Sequence, residues 1–475
     1  MAVARMKFLD GDEEDLIHEQ SIKTLNEIGV LVRSPSVLKI LEGTGATVDY
    51  KTGIALIPES MVNEALSKAP KRMRICSRDP KNDFEIPTDS IPYISTDGLT
   101  IYMRDLETGE KRNATRKDLA DFAKLADALD GVDFFWPIVT VTDVPAAVHS
   151  TYEQWTSLKG GTLHEQGDAL SALDAQKQIE LAALIVGGKE ELRKRPIFSV
   201  VCCPIAPLSF EKGSVEAQVE LARAGIPVVS MSMSLSGMSS PVTVAGTITN
   251  ANTENLASLV ITQSTAPGSP HIYSSISSPI NMTTGNMDNF SPEGLLISAA
   301  TGQLAKRYGL PSMVGGWGID GLVPGIQPSF TELSSYVFTI FTNTDLAPGV
   351  GGLDSDKGSS LEQMVIDSYL WENFRAFMRK FTISEETIAL DVVKEVGHGN
   401  TFLTHPHTAK NFKKELFFRD EKKSAWEATL SSEMVPEAKE IAKKLLKEYE
   451  VEPIDRDIVK QGDALLKEYE KMLTS

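Results

Sequence analysis

Residues 195–237, RPIFSVVCCPIAPLSFEKGSVEAQVELARAGIPVVSMSMSLSG, contain one complete strand–helix–strand unit. An apolar run of strand length comes first, a helical pattern follows over 214–224, and Gly225 separates it from the next apolar run. The predicted strands are continuous apolar runs rather than alternating ones, which is typical of strands buried on both faces. This stretch therefore predicts a parallel sheet covered by helices, the α/β class of fold.

The same unit recurs along the chain at intervals of about 40 residues. Further predicted strands lie within 132–145, 269–277, 310–321 and 344–353, and helical patterns follow the last three of them. Six clear units and two weaker strand candidates, at 160–166 and 400–403, are consistent with a total of eight strand–helix units. We therefore predict a TIM (β/α)8 barrel in preference to an open doubly wound sheet.

The flanks of the repeating region differ from it in pattern. Residues 1–114 predict an α+β cap of three helices and two hairpins, and the barrel is expected over 115–425. Residues 426–475 are charged and helical, which predicts packing on the barrel exterior or a contact in a homo-oligomer.

Composition excludes several classes of function. The net charge of −18 would repel a polyanion, and the basic runs are short and flanked by acids, so nucleic-acid binding is not expected. No stretch approaches the ~20 apolar residues of a membrane helix. Three cysteines and an amino terminus without an apolar signal core predict a cytoplasmic protein.

Catalytic residues of such barrels gather at the carboxyl ends of the strands. The predicted strand ends offer few titratable groups and much Ser, Gly and Met, and they assign no catalytic residue. The candidates for substrate binding are Trp317, His164, Glu165, Tyr273, Asp320 and His407.

Each candidate has a structural alternative. Trp317 stands between glycines in GGWGIDG and could equally form a ligand wall or core packing. His164 and Glu165 could be an acid/base pair or two polar groups on a barrel rim. His405 and His407 are spaced i, i+2 around a proline, which is not a common zinc spacing, so no metal site is predicted.

The cysteine pair and the lysines exclude two further chemistries. Cys202 and Cys203 are adjacent, so their side chains are expected on opposite faces of a strand rather than in a joint redox site. An aldolase would need a Schiff-base lysine at a strand end, and the predicted ends carry none. A site with an aromatic wall and little proton transfer suits a quaternary ammonium bound by cation–π contacts.

From about residue 115 to 426 the chain resembles the trimethylamine methyltransferase superfamily, and the cap extends this resemblance to nearly the whole length. The segments that carry it are YMRDLETGEKRNAT (102–115), DLADFAKLADAL (118–129), DVPA (143–146), PIAPLSF (204–210), ARAGIP (222–227), MSLSGMSSPVTVAGTITNANTENLASLVITQSTAPGSP (233–270) and HGNTFLTHPHTAKNFKKE (398–415). The block SGMSSPVTVAGT (236–247) is the most specific of them.

The resemblance implies a TIM barrel that passes a methyl group from an amine to the Co(I) of a separate corrinoid protein docked over the mouth. No cofactor would then be bound permanently. Members that use trimethylamine carry pyrrolysine, whereas others demethylate quaternary amines such as glycine betaine, proline betaine, carnitine or γ-butyrobetaine. This chain is written in standard residues only, which predicts a non-pyrrolysine member. In place of an aspartate-rich stretch of other members it has GWGIDGLVPGIQPSFTE (316–332), so the amine site cannot be carried over residue by residue.

The sequence thus predicts a quaternary amine:corrinoid methyltransferase, with glycine betaine, the smallest common betaine, as the first choice of substrate. We expect an open funnel at the strand ends, an aromatic wall at Trp317, and a carboxylate-binding group at His164 or His407. The alternative from another class is a barrel that binds a betaine, or regulates a corrinoid protein, without catalysis.

Overall fold

Eight parallel strands close into a barrel in the computed structural model, which describes residues 7–88, 91–289, 291–316, 318–319, 321–326, 330–342, 344–416 and 432–474. Neighbouring strands pair in chain order, and the last closes on the first. The strands are β1 (Tyr93–Thr96), β2 (Phe134–Phe135), β3 (His164–Asp168), β4 (Phe198–Cys202), β5 (Val228–Ser232), β6 (His271–Ser275), β7 (Ser312–Val314) and β8 (Leu346–Val350). The predicted TIM barrel is confirmed.

One helix follows each strand and covers the barrel. The eight helices are α1 (Arg116–Ala128), α2 (His149–Gly160), α3 (Ala172–Val186), α4 (Lys212–Ala224), α5 (Val244–Thr265), α6 (Pro292–Arg307), α7 (Phe330–Phe341) and α8 (Leu361–Arg375). Local signals set their ends: the side chain of Thr115 caps α1 in a capping box with Asp118, and Gly225 ends α4 with a φ of 77°.

Two predictions about the strands were wrong. Residues 400–403 form no strand, and the missing one is Tyr93–Thr96, which pairs with β8 and β2 although it lies inside the predicted 1–114 cap. The barrel therefore begins before residue 115. This strand is short and runs into Asp97-Gly98, a turn signal that locally predicts a hairpin. The hairpin of this segment lies further on, between Tyr102–Arg104 and Lys111–Arg112.

The barrel interior is a packed apolar core that is closed at its amino end. Phe134, Val229 and Met313 belong to a cluster of lumen side chains, together with Ile75 and Ile86 from the preceding hairpin. That hairpin pairs Met73–Ile75 with Phe84–Ile86. The lumen is therefore plugged from below, and a ligand reaches it only from the carboxyl end.

The amino-terminal cap lies against the outside of the barrel. Its helices Gly11–Glu27, Pro35–Thr44 and Glu59–Lys68 pack on α5. Its sheet is built from Val30–Val32, Thr47–Asp49 and Ile54–Leu56 and is extended by Ser209–Phe210. The remaining short elements are the strands Leu235–Ser236, Ser278–Pro279, Gly352–Leu353 and Gly358–Ser359, the helices Lys189–Lys194, Glu385–Ile388, Leu390–Val396 and Pro406–Glu415, and the 3-10 turns Pro80–Asn82 and Ala376–Met378.

The carboxyl-terminal helices Met434–Glu448 and Arg456–Thr474 pack on the barrel exterior. In the second of these helices Asp463 accepts a hydrogen bond from the indole Nε1 of Trp155 on α2 at 2.8 Å. Gly462 is buried where the helix meets the same ring, and a Cβ there would lie 2.2 Å from Trp155 Cζ2. The absent side chain thus lets the helix approach the indole.

We expect Gly462→Ala to lower the free energy of unfolding by about 1–3 kcal/mol, because a rigid ring and a helix backbone must separate. Urea denaturation measures this change. Gly43→Ala, in Pro35–Thr44, is the matched control: a Cβ there meets nothing within 4 Å, so the change should be neutral or stabilising. Equal effects of the two substitutions would contradict the packing role.

The described residues contain no helix that is long and apolar enough to cross a membrane.

Candidate active site

A small cavity that is partly open to solvent lies at the carboxyl end of the barrel. It begins at the ends of β1, β6, β7 and β8 and continues between β7 and the helices α6 and α7. The residues that line it are Asp97, Ile276, Ser277, Asn289, Leu295, Ser298, Val314, Gly315, Gly316, Phe338, Thr339, Thr342, Pro348, Gly349 and Asp356. No described residue of segment 7–88 is among them, so the cap does not cover the cavity.

Asp97 follows β1 and is the most buried carboxyl group in this wall, with 7% of its surface exposed. Its Oδ1 accepts the Gly98 N–H at 2.8 Å, which fixes the turn after the strand. Its Oδ2 is buried and has no hydrogen-bond partner among the described residues. Burial and, next, the charge of Asp356 raise the pKa of Asp97 well above its ordinary value. Within the described part of the chain, this buried carboxyl oxygen is therefore an acceptor that a ligand could still engage.

Asp356 reaches the cavity from a strained turn. Asp354, Ser355 and Asp356 have φ values of 54°, 51° and 65°, a left-handed conformation that costs non-glycine residues about 1 kcal/mol or more each. Tyr102 Oη donates to Asp354 Oδ2 at 2.8 Å, and Asn289 Nδ2 donates to Asp356 Oδ2 at 2.6 Å. These bonds hold the turn in place.

Asn289 presents a second acceptor. Its Nδ2 is committed to Asp356, while its Oδ1 is buried without a hydrogen-bond partner among the described residues. The cavity wall thus has two oxygens without a partner among the described residues: Asn289 Oδ1, which can only accept, and Asp97 Oδ2, which can only accept once the carboxyl group is ionised.

Glycines bring the backbone close to these groups. A Cβ on Gly352 would lie 2.5 Å from Asp97 Oδ2, and one on Gly98 would lie 2.3 Å from Trp136 Cε2. Trp136 belongs to the lumen cluster, and its buried indole Nε1 has no partner in the described part of the chain. An aromatic face therefore stands beside the Asp97 turn.

The loops after β4 and β5 are tied to one buried carboxylate. Glu254 on α5 accepts the Leu208 N–H at 2.8 Å and the hydroxyl of Ser232 at 2.5 Å. Within the block 236–247, the hydroxyl of Thr247 bonds to Ser236 at 2.6 Å and to Ser240 at 2.9 Å. The most specific block of the sequence therefore builds a folded loop at the mouth.

A second acidic group lies on the other side of the lumen. Gln166 Nε2 is 3.4 Å from Met313 Sδ across the barrel, so alternate residues of β3 face inward and Asp168 faces the mouth. Burial, chiefly, raises the pKa of Asp168 to about 7. Burial and Asp168 raise the pKa of Cys203 to about 12, so this thiol is not a thiolate nucleophile at neutral pH.

The two cysteines face opposite sides of β4, as predicted. Cys202 packs in the outer cluster with Ala217 and Leu221, and Cys203 packs against the lumen cluster.

The expectation that His164 lies at a carboxyl end was wrong. It is the first residue of β3, because the strand starts later than the candidate at 160–166. Its Nδ1 bonds to Cys76 O at 2.7 Å and its Nε2 to Ser199 Oγ at 2.9 Å, at the plugged end. Burial lowers the pKa of His164 to about 4, so the ring is neutral. It does not reach the cavity.

Glu165 and Tyr273 point outward from the barrel. Glu165 lies on the helix-facing side of β3, and burial raises its pKa well above the ordinary value. Tyr273 Oη donates to Asn252 Oδ1 on α5 at 2.9 Å. Neither side chain lines the cavity, since a strand alternates its faces and each of these residues sits on the outer one.

His407 lies near the start of the helix Pro406–Glu415, where its N–H donates to His405 Nδ1 at 3.1 Å. It does not line the cavity. Trp317 and Asp320 lie outside the described residues. Their neighbours Gly315 and Gly316 do line the cavity.

Sequence reasoning missed Asp97, Asn289 and Asp356. Asp97 was read as part of a hairpin turn, and the other two stand in loops with turn-forming composition. The only local signal is that acidic and amide side chains follow strands β1, β6 and β8. No group of three or more His, Cys, Asp or Glu residues that could hold a metal ion exists among the described residues.

Exposed apolar side chains surround the mouth. We call them the apolar rim; they stand on the loops after β1, β4, β5, β6 and β7 and are Ile101, Ile205, Met238, Val242, Met282, Leu322 and Val323. Val242 and Met282 approach each other over Gly237, where a Cβ would lie 3.5 Å and 3.8 Å from their side chains. Such a concentration of exposed apolar surface is typical of a protein interaction site.

Comparison with known proteins gives a match along almost the whole chain. Residues 1–471 match the family model described as trimethylamine methyltransferase (MTTB). Trimethylamine methyltransferases of Methanosarcina barkeri and Desulfitobacterium hafniense are 31% and 30% identical, covering 97% and 96% of this chain and 94% and 92% of their own. A glycine betaine methyltransferase of Desulfitobacterium hafniense is 29% identical, covering 87% of this chain and 86% of its own. Because these identities are nearly equal, they do not choose between the two substrates.

Proposed function

The chain belongs to the trimethylamine methyltransferase family and is a methyltransferase, and on this premise we propose that it transfers a methyl group from a quaternary amine to the reduced cobalt of a corrinoid protein. A cationic methyl donor is chosen because Oδ2 of Asp97, in the cavity wall, is buried and has no hydrogen-bond partner among the described residues. A quaternary ammonium placed there would supply the missing charge partner.

The walls suit the shape and chemistry of such a cation. Ile276, Val314 and Phe338 offer apolar surface to the N-methyl groups, while Asp97 and Asp356 offer negative charge. A quaternary nitrogen has no N–H to donate, so electrostatic attraction and apolar contact must provide most of the binding. Trp317 and Asp320 remain predictions for this wall.

The reaction asks little of the protein beyond positioning. One C–N bond breaks, its electron pair stays on nitrogen, and the product is a neutral tertiary amine, so no proton is needed for the leaving group. The corrinoid of the partner, as Co(I), supplies the nucleophile. The cavity residues hold the ammonium with one methyl group toward the mouth and exclude water, which are contributions of proximity and desolvation.

The apolar rim is the surface on which the corrinoid protein would dock. It surrounds the opening through which the methyl group must leave, because the amino end of the lumen is plugged by Ile75 and Ile86. Met238 and Met282 are 70% and 80% exposed there. Methionine adapts its shape to an apolar partner, which suits a contact that forms and separates in each catalytic cycle.

The test uses cob(I)alamin and a purified corrinoid protein as methyl acceptors. The protein is mixed with each acceptor and with trimethylamine, choline, tetramethylammonium or glycine betaine, the choice from sequence, and the Co(I) absorbance is followed. Loss of Co(I) absorbance with a quaternary amine supports the proposal. Comparable rates with trimethylamine would contradict the quaternary donor, and ligand binding without any turnover would instead indicate a non-catalytic binding barrel.

We expect binding of a quaternary ammonium to release a proton and to strengthen as the pH rises. The raised pKa keeps Asp97 protonated in the ligand-free protein at pH values at which an ordinary carboxyl group is ionised. A bound cation favours the ionised form and lowers that pKa, so affinity increases with pH until the ligand-free pKa is passed.

Titration calorimetry in two buffers of different ionisation enthalpy measures the released proton. The Asp97→Asn variant should show no such dependence on the buffer. Identical apparent enthalpies for the unmodified protein in both buffers, at every pH measured from the acidic to the neutral range, would contradict this coupling.

A further inference from the structure

The cavity wall disfavours a negatively charged group on the ligand. Asp97 and Asp356 both line it, and the charge of Asp356, after burial, raises the pKa of Asp97. The amide Nδ2 of Asn289 is bonded to Asp356, and its carbonyl Oδ1 has no hydrogen-bond partner among the described residues. A ligand carboxylate here would lie near the charge of Asp356, near the Asn289 carbonyl and, once an ammonium has bound, near an ionised Asp97, while the donors of the wall are neutral hydroxyl groups such as that of Ser277.

The chain supplies almost no positive side chain to this half of the barrel. From Ala224 to Asp356, a stretch that includes β5 to β8, the loops at the carboxyl ends of β5 to β7 and the first part of the loop after β8, the sequence holds three residues that can be cationic: His271, Lys306 and Arg307. This count comes from the sequence and so includes every loop of the stretch.

All three lie toward the opposite end of the barrel. His271 is the first residue of β6, and burial lowers its pKa to about 3. Lys306 and Arg307 end α6, where Lys306 Nζ is 2.5 Å from Asp345 Oδ1 and Arg307 Nη1 is 2.5 Å from Asp15 Oδ1.

Two cationic residues on the loops after β8 and β1 already have partners. Lys357 Nζ is 3.2 Å from Asp354 Oδ1. Arg104 Nε donates to Leu322 O at 2.5 Å, and its Nη1 donates to Gly109 O at 2.9 Å. His164, the group expected from sequence to bind a carboxylate, is neutral and lies at the plugged end.

We propose that the donor used by this site is a quaternary ammonium without a carboxylate, of the choline or tetraalkylammonium class, rather than a betaine. This inference rests on the proposed function. A ligand carboxylate buried here would have no cationic partner among the residues that line the cavity, and the penalty for a buried charge without such a partner is large. The negative charge of the wall thus has two effects: it attracts the ammonium group, and it repels the carboxylate of a zwitterion.

The experiment compares ligands that share the trimethylammonium group. Titration calorimetry with the full-length protein measures dissociation constants for choline, glycine betaine and the methyl ester of glycine betaine. The ester keeps the size of the betaine but removes its negative charge, so it is the matched control. The neutral carbon isostere 3,3-dimethylbutanol reports the contribution of the positive charge.

We expect choline and the ester to bind about 100-fold more tightly than glycine betaine, and the neutral isostere to bind weakly. A preference for the ester below tenfold, or reversed, overturns the inference, and so does a failure of all these cations to bind. The proposed function is judged separately: if glycine betaine transfers its methyl group to cobalt, the proposed function stands while this inference fails.

A variant separates rejection of the carboxylate from general loss of binding. In Asp356→Asn the wall loses a negative charge, while an amide in the same place can still bond to Asn289. We expect choline to bind more weakly. We also expect the ratio of the dissociation constants of glycine betaine and choline to fall by roughly tenfold. Unchanged discrimination in a variant of normal thermal stability would overturn the role of Asp356 in specificity.

Discussion

Replacing Asp97 by asparagine is expected to raise KM for the quaternary amine by roughly 10- to 100-fold and to leave kcat unchanged or higher. The physical reason is that methyl transfer neutralises the ammonium. The attraction between Asp97 and the cation is therefore stronger in the bound substrate than in the transition state, and an interaction of this kind contributes to KM rather than to kcat. Steady-state kinetics with saturating methyl acceptor measure both constants.

The same substitution should not damage the fold. Asparagine keeps an oxygen for the Gly98 N–H, and it removes a buried carboxyl group whose Oδ2 has no partner among the described residues. Thermal stability should stay the same or increase, as is common where a site holds a strained or unpaired group for function. A large fall in kcat with unchanged KM would contradict this role and point to one in the chemical step.

Two further variants sharpen the test of Asp97. Gly352→Ala keeps the carboxyl group but places a methyl 2.5 Å from its Oδ2, so it should displace Asp97 and also raise KM. Asp121→Asn is the control, because this carboxylate pairs with Lys117 on the outer surface of α1 and should change neither constant. An effect of Asp121→Asn equal to that of Asp97→Asn would indicate a general electrostatic influence instead of a local contact.

Introducing charge into the apolar rim is expected to weaken the use of the corrinoid protein without changing the use of the amine. Met238→Asp and Met282→Asp place a carboxylate where an apolar partner surface would have to bury it, so the KM for the corrinoid protein should rise by about 10- to 100-fold. Both side chains are exposed in the isolated protein, so folding should be unaffected.

The comparison with free cob(I)alamin separates docking from chemistry. This small acceptor needs no protein interface, and its methylation rate should be the same in the variants and the unmodified protein. Leu403→Asp is the matched control, since Leu403 is exposed to a similar degree, 78%, but stands in the segment after α8 and not on a loop at the mouth. A loss confined to Leu403→Asp would move the docking surface to that segment.

Local patterns of the sequence were sufficient for most of the barrel. Apolar runs of strand length, helical periodicity and glycine-containing turns predicted β2, a weaker β3, and β4 to β8 with the helices that follow them, because each signal depends on residues within one turn or one strand. The strand Tyr93–Thr96 was missed because it is short and is followed by a strong turn signal. Its membership in the barrel depends on pairing with β8, more than 200 residues away in the chain.

The candidate site could be predicted much less well. A shift of a strand boundary by a few residues moved His164 from the expected carboxyl end to the plugged amino end, and alternation of faces turned Tyr273 and Glu165 outward. Asp97, Asn289 and Asp356 have no shared local pattern. They meet only because β1, β6 and β8 end at one face of a closed sheet.

The sequence by itself determined the β/α repeat, the family resemblance and the scarcity of cationic residues between Ala224 and Asp356. Only the tertiary structure decided which carboxyl groups face one cavity, which oxygens lack partners there and which end of the lumen is open. The reason is physical: secondary structure and composition follow from neighbours in the chain, whereas burial and charge interactions arise between residues that chain closure brings together.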